Sequence, residues 1–232
     1  MVQVNSNESH TIRFRFKKVG NLQYVSHLDL VRTMHKIVVR SRLPLKYTEG
    51  FNPKPKMVFA APRSIGTESL CEFLDVRLSE RVDESAALKA LNDNMTDEMQ
   101  VTEAYYPETK FTDLRWLSYT VSMKTNGASD ELCERINSAL SRDVIEIEKK
   151  TKSGIKPVNI RPLIKSADAF FDGEEIRIVC LLSADPSEFL NPEYLVKYLR
   201  ESVGVLSDPC LTSEYYSIIR EEAYTADMTK FR

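Results

Sequence analysis

The chain has 232 residues, 42% of them apolar and 28% charged, with a formal net charge of −2. That composition describes an ordinary globular protein of one large or two small domains, and the absence of any run of about 18 apolar residues predicts no membrane span. The charge is unevenly placed: residues 1–67 carry 12 Lys and Arg against 3 Asp and Glu, a net of +9, and the other 165 residues carry 20 against 31, a net of −11.

Met1 to His10 is polar and lacks an apolar stretch, which predicts a disordered tail over 1–10 and no secretory leader. Ile12, Phe14 and Phe16 alternate with Arg13, Arg15 and Lys17, the period of a strand with one buried and one cationic face. Asn21 to Val25 reads as a loop or a short extended piece. Ser26 followed by Asp29 is a cap for a helix, in which Val31, Met34 and Val38 make the apolar stripe with Leu30 and Ile37 beside it. Arg32, Lys36 and Arg40 recur along another face with His35 next to them, and the helix must end before Pro44. A short strand is expected over Met57 to Ala61, a turn over Gly66 to Ser69 and a strand over Cys71 to Leu78. Asp83 caps a helix bearing Ala87, Leu88 and Leu91, and Met99 to Ala104 is a closing strand.

After a boundary over Pro107 to Asp113 the order begins again. Leu117, Tyr119, Val121 and Met123 alternate on a strand, a helix runs from about Asp130 to Leu140, and Ile145 with Ile147 marks another strand. Asp172-Gly173 is a hairpin signal, Asn191-Pro192 starts a helix that Gly204 ends, and Ser213 to Ala223 is the last strand. The predicted class is α+β: two tandem ferredoxin-like (βαββαβ) domains, antiparallel sheets with helices on one face, spanning 11–108 and 113–232. The second half holds one extended segment more than the first.

Three stretches carry binding chemistry. Arg32, Lys36 and Arg40 cannot face a core, because buried unpaired cations are too costly, and a phosphate backbone would neutralise them with release of counterions. The competing reading is a solvated face paired with the acidic half of the same chain. The second stretch is Tyr47 to Lys56, in which Gly50 permits a positive φ and Pro53 and Pro55 stiffen a loop. Lys54 and Lys56 suit phosphates, and Phe51 either stacks on an unpaired base or anchors the loop to the core. The third runs from Lys149 to Lys165, where Lys149, Lys150, Lys152, Lys156, Arg161 and Lys165 are six basic residues without an acidic one. It reads as an exposed loop between strands, either one wall of a cleft or an ordinary charged hairpin.

His27 is a weak catalytic candidate, because the helix N-terminus opposes its protonation; with Asp29 and Asn52 it better shapes the junction of loop and helix. Cys71, Cys133, Cys180 and Cys210 are far apart, with no Cys-x-x-Cys pair and no Cys/His cluster, which predicts buried thiols, no disulfide framework, no metal and no cofactor. No phosphate-binding or nucleophile motif is present.

Arg13-Phe14-Arg15-Phe16-Lys17-Lys18-Val19-Gly20, Ser26-His27-Leu28-Asp29-Leu30, and Tyr47 to Lys56 with Phe59-Ala60-Ala61-Pro62 resemble the radical-SAM-linked bacterial domain family of unknown function. Its members occur alone or as a C-terminal extension of radical SAM proteins, some with a cobalamin-binding domain. The resemblance covers residues 11–80 and implies a cytoplasmic bacterial protein with a radical SAM partner, without an established reaction. The Cys-x-x-x-Cys-x-x-Cys cluster of the radical enzymes is absent, so this chain is not itself one of them. The expected function is a non-catalytic RNA-binding or substrate-presenting module in RNA modification, processing or ribosome-related work. Its rivals are a protein partner of a radical SAM enzyme and an RNA-processing enzyme using His27.

Overall fold

A computed structural model describes residues 10–61, 64–151, 154–208 and 213–232, and for Lys150 and Thr151 the backbone only. Pro62, Lys152, Cys210 and the expected tail up to residue 9 lie outside the described residues. The chain divides into two compact units, Met1–Phe111 with Arg232, and Thr112–Phe231. Both mix helices with an antiparallel sheet. Among the described residues no helix is long and apolar enough to cross a membrane.

The first unit runs β1 (His10–Lys18), α1 (His27–Arg40), β2 (Met57–Phe59), β3 (Thr67–Leu78), α2 (Glu84–Asn92) and β4 (Val101–Tyr105). The strands pair antiparallel in the order β4-β1-β3-β2. Ile12, Phe14 and Phe16 of β1 and Leu74, Val76 and Leu78 of β3 are buried beneath Leu30, Met34, Ile37 and Val38 of α1 and Ala87 and Leu91 of α2. Both helices therefore cover one face of the sheet. The alternation along β1 fixes the register, because a slip of one residue would turn the phenylalanines to the other face.

Five expectations need correction. Thr67 to Ser69, expected within a turn, already belong to β3. His10, assigned to the tail, begins β1. Asn21 to Val25 is mostly a 3-10 turn, Gly20–Tyr24, not extended. Its entry depends on Gly20 at φ +61, where an added Cβ would lie 2.3 Å from Glu98 Oε1. The buried stripe of α1 contains Leu30 and Ile37, while Val31 is only half-buried. And the outer face of β1 is not uniformly cationic surface, because Arg13 is 1% exposed.

The second unit runs β5 (Trp116–Lys124), α3 (Asp130–Leu140), β6 (Glu146–Thr151), β7 (Gly154–Asn159), β8 (Ile164–Phe171), β9 (Ile176–Ser183), α4 (Glu193–Val203) and β10 (Tyr215–Tyr224). Its main strands pair antiparallel in the order β10-β5-β9-β8, and β6 and β7 form a separate two-stranded ribbon. Apart from that ribbon, inserted between α3 and β8, both units place their fourth, first, third and second strands side by side. Asn137 of α3 clamps β8 by accepting from Ala169 N at 2.7 Å and donating to Ala169 O at 2.9 Å. Tyr198 of α4 donates to Ala139 O of α3 at 3.2 Å. The segment Lys149 to Lys165, expected as a loop, instead holds the end of β6, all of β7, the 3-10 turn Arg161–Leu163 and the start of β8. The start of α4 also differs. Pro192 is the cap, and Asn191 Oδ1 accepts from Glu193 N at 3.2 Å.

Candidate nucleic-acid interface

The basic segment separates into cations used within the fold and cations left to solvent. Arg13 lies opposite Asp75 on β3 and Tyr105 on β4, and Arg15 opposite Glu103. The Arg13 guanidinium grips Asp75 with two bonds of 2.7 and 2.9 Å, donates to Thr109 Oγ1 and Thr109 O at 3.0 and 3.1 Å, and lies 4.3 Å from the centre of the Phe111 ring. Arg15 pairs with Glu103 at 3.2 Å. Lys18 is buried and donates to Val25 O at 2.9 Å. A buried cation persists only when paired and hydrogen-bonded, and cross-strand register supplies those partners.

On α1 the cap forms as expected: Ser26 Oγ accepts from Asp29 N at 3.2 Å and donates to Asp29 Oδ2 at 2.7 Å. That hydroxyl first, and the Arg32 guanidinium second, hold the Asp29 carboxyl below its ordinary range. Arg32 donates to Asp29 Oδ1 at 3.1 Å with both groups well exposed, a pair that contributes little. Lys36 and Arg40 are exposed, and among the described residues neither has a carboxylate within 4.0 Å. His27 is exposed, with its ring edge-on to Phe59 at 5.7 Å and 83°. Nothing among the described residues hydrogen-bonds that imidazole, so it lacks the orienting partner of a general base.

The loop from Tyr47 to Lys56 is a hairpin pinned to the end of β3. Lys46 N donates to Arg77 O at 2.8 Å, Arg77 N to Lys56 O at 2.9 Å, and Lys56 N to Lys46 O at 2.8 Å. Further out, Thr48 N donates to Lys54 O at 2.8 Å and Lys54 N to Thr48 Oγ1 at 3.0 Å. Gly50 turns the tip at φ +123, a conformation that side chains other than glycine resist. Phe51 is presented there at 112% of its reference exposure, so it does not anchor the loop to the core. Asn52, Lys54 and Lys56 are exposed beside it, and among the described residues neither lysine meets a carboxylate.

The hairpin and helix meet at His35. This half-buried imidazole is held below its ordinary value first by burial and then by the Lys54 ammonium. His35 and Lys54 are thus brought together with Lys36 as their neighbour in the chain, while Asp29 and His27 occupy the other end of α1. Of the basic residues in the second unit, Lys149 lies 5.5 Å from the Tyr194 ring centre and Lys165 5.1 Å from that of Trp116. Arg161 Nη1 donates to Ile164 O at 2.7 Å, and Lys156 is exposed. Lys150 and Lys152 were expected here too; the side chain of the first and all of the second lie outside the described residues.

Asp75 and Glu103 were missed as partners because they stand 62 and 88 residues from the arginines they neutralise. Among the described residues no three His, Cys, Asp or Glu side chains cluster in a way that could hold a metal ion. Cys71, Cys133 and Cys180 are buried and outside any disulfide, and burial pushes Cys180 up to about 12, far from a nucleophile's range.

Fold and surface together define a two-unit α+β protein with one projecting aromatic ring on a hairpin that also carries two exposed lysines. Over residues 11–192 the sequence matches the model of the family described as "Uncharacterized protein conserved in bacteria (DUF2344)", and the chain belongs to that family. No curated protein matches it. Among solved structures it is similar to a chain in the crystal structure of a Cbf5-Nop10-Gar1 complex, with 11% identity, 90% of this chain and 49% of that one covered, and a TM-score of 0.48. The chain therefore spans about half the length of that neighbour. It is also similar to an unknown protein from Galdieria sulphuraria, with 10% identity, coverages of 92% and 99%, and a TM-score of 0.26. A third neighbour is DyPB from Rhodococcus jostii RHA1, with 10% identity, coverages of 92% and 93%, and a TM-score of 0.20. Likenesses of this strength say nothing about function.

Proposed function

We propose that the protein is a non-catalytic RNA-binding or substrate-presenting module of the bacterial cytoplasm, acting in RNA modification, processing or ribosome-related work. The strand order repeated in both units supports reading them as tandem ferredoxin-like domains, 11–108 and 113–232. The observation that carries the function is the fully exposed Phe51 ring at the tip of a hairpin whose returning arm bears the exposed Lys54 and Lys56 and which is braced by Thr48, Gly50 and the end of β3. An aromatic face among unpaired cations suits single-stranded RNA, where bases stack and phosphates are neutralised. Arg32, Lys36, Arg40, Lys54 and Lys56 would meet phosphates and Phe51 a base, and His35 and Asn52 would hold the junction of hairpin and helix, with His27 and Asp29 at the far end of α1.

The test is fluorescence anisotropy with a labelled single-stranded RNA. Replacing Arg32, Lys36 and Arg40 together by Glu should weaken binding by orders of magnitude. Phe51→Ala should weaken it by about 1–3 kcal/mol, the worth of one stacked base. Unchanged binding by both variants removes the proposal. The radical SAM partner implied by the family resemblance is the competing occupant of this surface. Purification from cells that recovers such an enzyme and no RNA would favour it.

A further inference from the structure

The second unit contains a cavity of about 440 Å³ at the foot of the β6–β7 ribbon. That size is within the range of small-molecule sites, about 300–1,000 Å³. Its walls mix apolar and polar surface: Val158 of β7, Pro162 and Leu163 of the following turn, and Pro186 and Phe189 of the segment between β9 and α4 alternate with Asn159 and Ser187. Lys149 supplies a cation to the lining and Glu188 a carboxylate.

Both walls are braced. On the ribbon side, Asn159 Oδ1 accepts from Ile145 N and Arg161 N, each at 3.0 Å, and Lys197 Nζ donates to Glu148 O at 3.2 Å. On the other side, Asp185 Oδ1 accepts from Ser187 N at 2.9 Å and from Ser187 Oγ at 2.6 Å, and Leu190 N donates to Ser183 O at 3.0 Å. The Lys149 ammonium is held over Tyr194 and, among the described residues, has no carboxylate within 4.0 Å. A ligand matching this lining has a flat apolar body, one anionic group and an N–H donor. Lys156 on the same ribbon and Arg161 on the following turn add positive charge in favour of an anion.

We propose that this cavity binds a nucleoside monophosphate unit, either free or carried within a single strand, with its base against the proline, leucine and phenylalanine walls and its phosphate at Lys149. Glu188 accepts from the N–H edge that every nucleobase offers, and it disfavours further phosphates. A fatty acid would leave that carboxylate facing hydrocarbon. The inference does not rest on the reading of the first unit.

The test uses the full chain with AMP, adenosine, ribose 5-phosphate and inorganic phosphate, followed by calorimetry and amide chemical shifts. AMP should bind more tightly than any of the other three and perturb Val158, Leu163 and Phe189. Lys149→Glu should weaken AMP about tenfold, the loss expected of a contact to a charged group. The double variant Lys54→Glu, Lys56→Glu should leave AMP binding intact even if it abolishes RNA binding. Competition by a short single-stranded RNA identifies a nucleotide within a strand, and lack of competition identifies a free nucleotide. The proposal is overturned if inorganic phosphate binds as tightly as AMP, if an acidic peptide displaces AMP more effectively than RNA or adenosine does, or if the wild-type shift changes fall outside this cavity.

Discussion

At the scale of single residues, His35 reports on the junction of helix and hairpin. Its imidazole is depressed by burial and then by Lys54, so the folded chain holds fewer protons there than the unfolded chain. The associated stability is in place above the ordinary imidazole value and is lost as pH falls through it toward the folded value. Lys54→Ala should move the His35 titration upward while leaving it below the ordinary value, because the effect of burial remains. Bound phosphate should act in the same direction by offsetting the ammonium, so RNA affinity should rise as pH falls from neutrality. Nuclear magnetic resonance titration of the His35 ring, with and without RNA, measures both shifts. An unmoved titration in the Lys54 variant would mean that burial acts alone.

At the scale of elements, α1 shows what could be read from the chain and what could not. The Ser26–Asp29 cap and the cationic repeat of Arg32, Lys36 and Arg40 are local patterns set by helical spacing, and both were legible. The apolar stripe was misplaced by one residue toward Val31, because spacing alone does not say which edge of a stripe meets the sheet. Ser26→Ala should cost about 1 kcal/mol of stability, read as a lower urea midpoint, by leaving Asp29 N without its acceptor. A midpoint equal to wild type would show that solvent replaces the cap. On β1 the alternation was legible but the fate of its cations was not. Asp75 and Glu103 come opposite Arg13 and Arg15 only through strand pairing, which no local pattern encodes. The outward Phe51 was equally hidden, because Gly50 and two prolines announce a turn without saying to which side its aromatic points. The cavity beside β7 was hidden as well, because its walls come from two separate segments, Val158 to Leu163 and Pro186 to Phe189, that no local pattern joins.

At the scale of the whole molecule, the +9 of residues 1–67 overstates the cationic surface. Arg13, Arg15 and Lys18 are committed to the fold, and Arg32, Lys36, Arg40, Lys54 and Lys56 remain for an external anion. With each of those five cations meeting one phosphate of a single strand, log affinity should fall against log salt with a slope of about −3.5, and each removal should reduce its magnitude by about 0.7. A salt series on wild type and on Lys56→Gln measures this, and a slope of about −5.6 would mean that Arg13, Arg15 and Lys18 leave their internal pairs to meet phosphates as well. The β6–β7 ribbon has a consequence of another kind. Among the described residues it has two strands and no third, so its edges lack a strand partner, apart from Glu148 O, which Lys197 Nζ occupies. Open strand edges invite another copy of the chain to add itself. Lys149 and Lys156 set like charges against any approaching copy, and Pro157 removes a donor from the ladder. The same charges that attract an anion therefore also keep molecules of this protein from joining edge to edge.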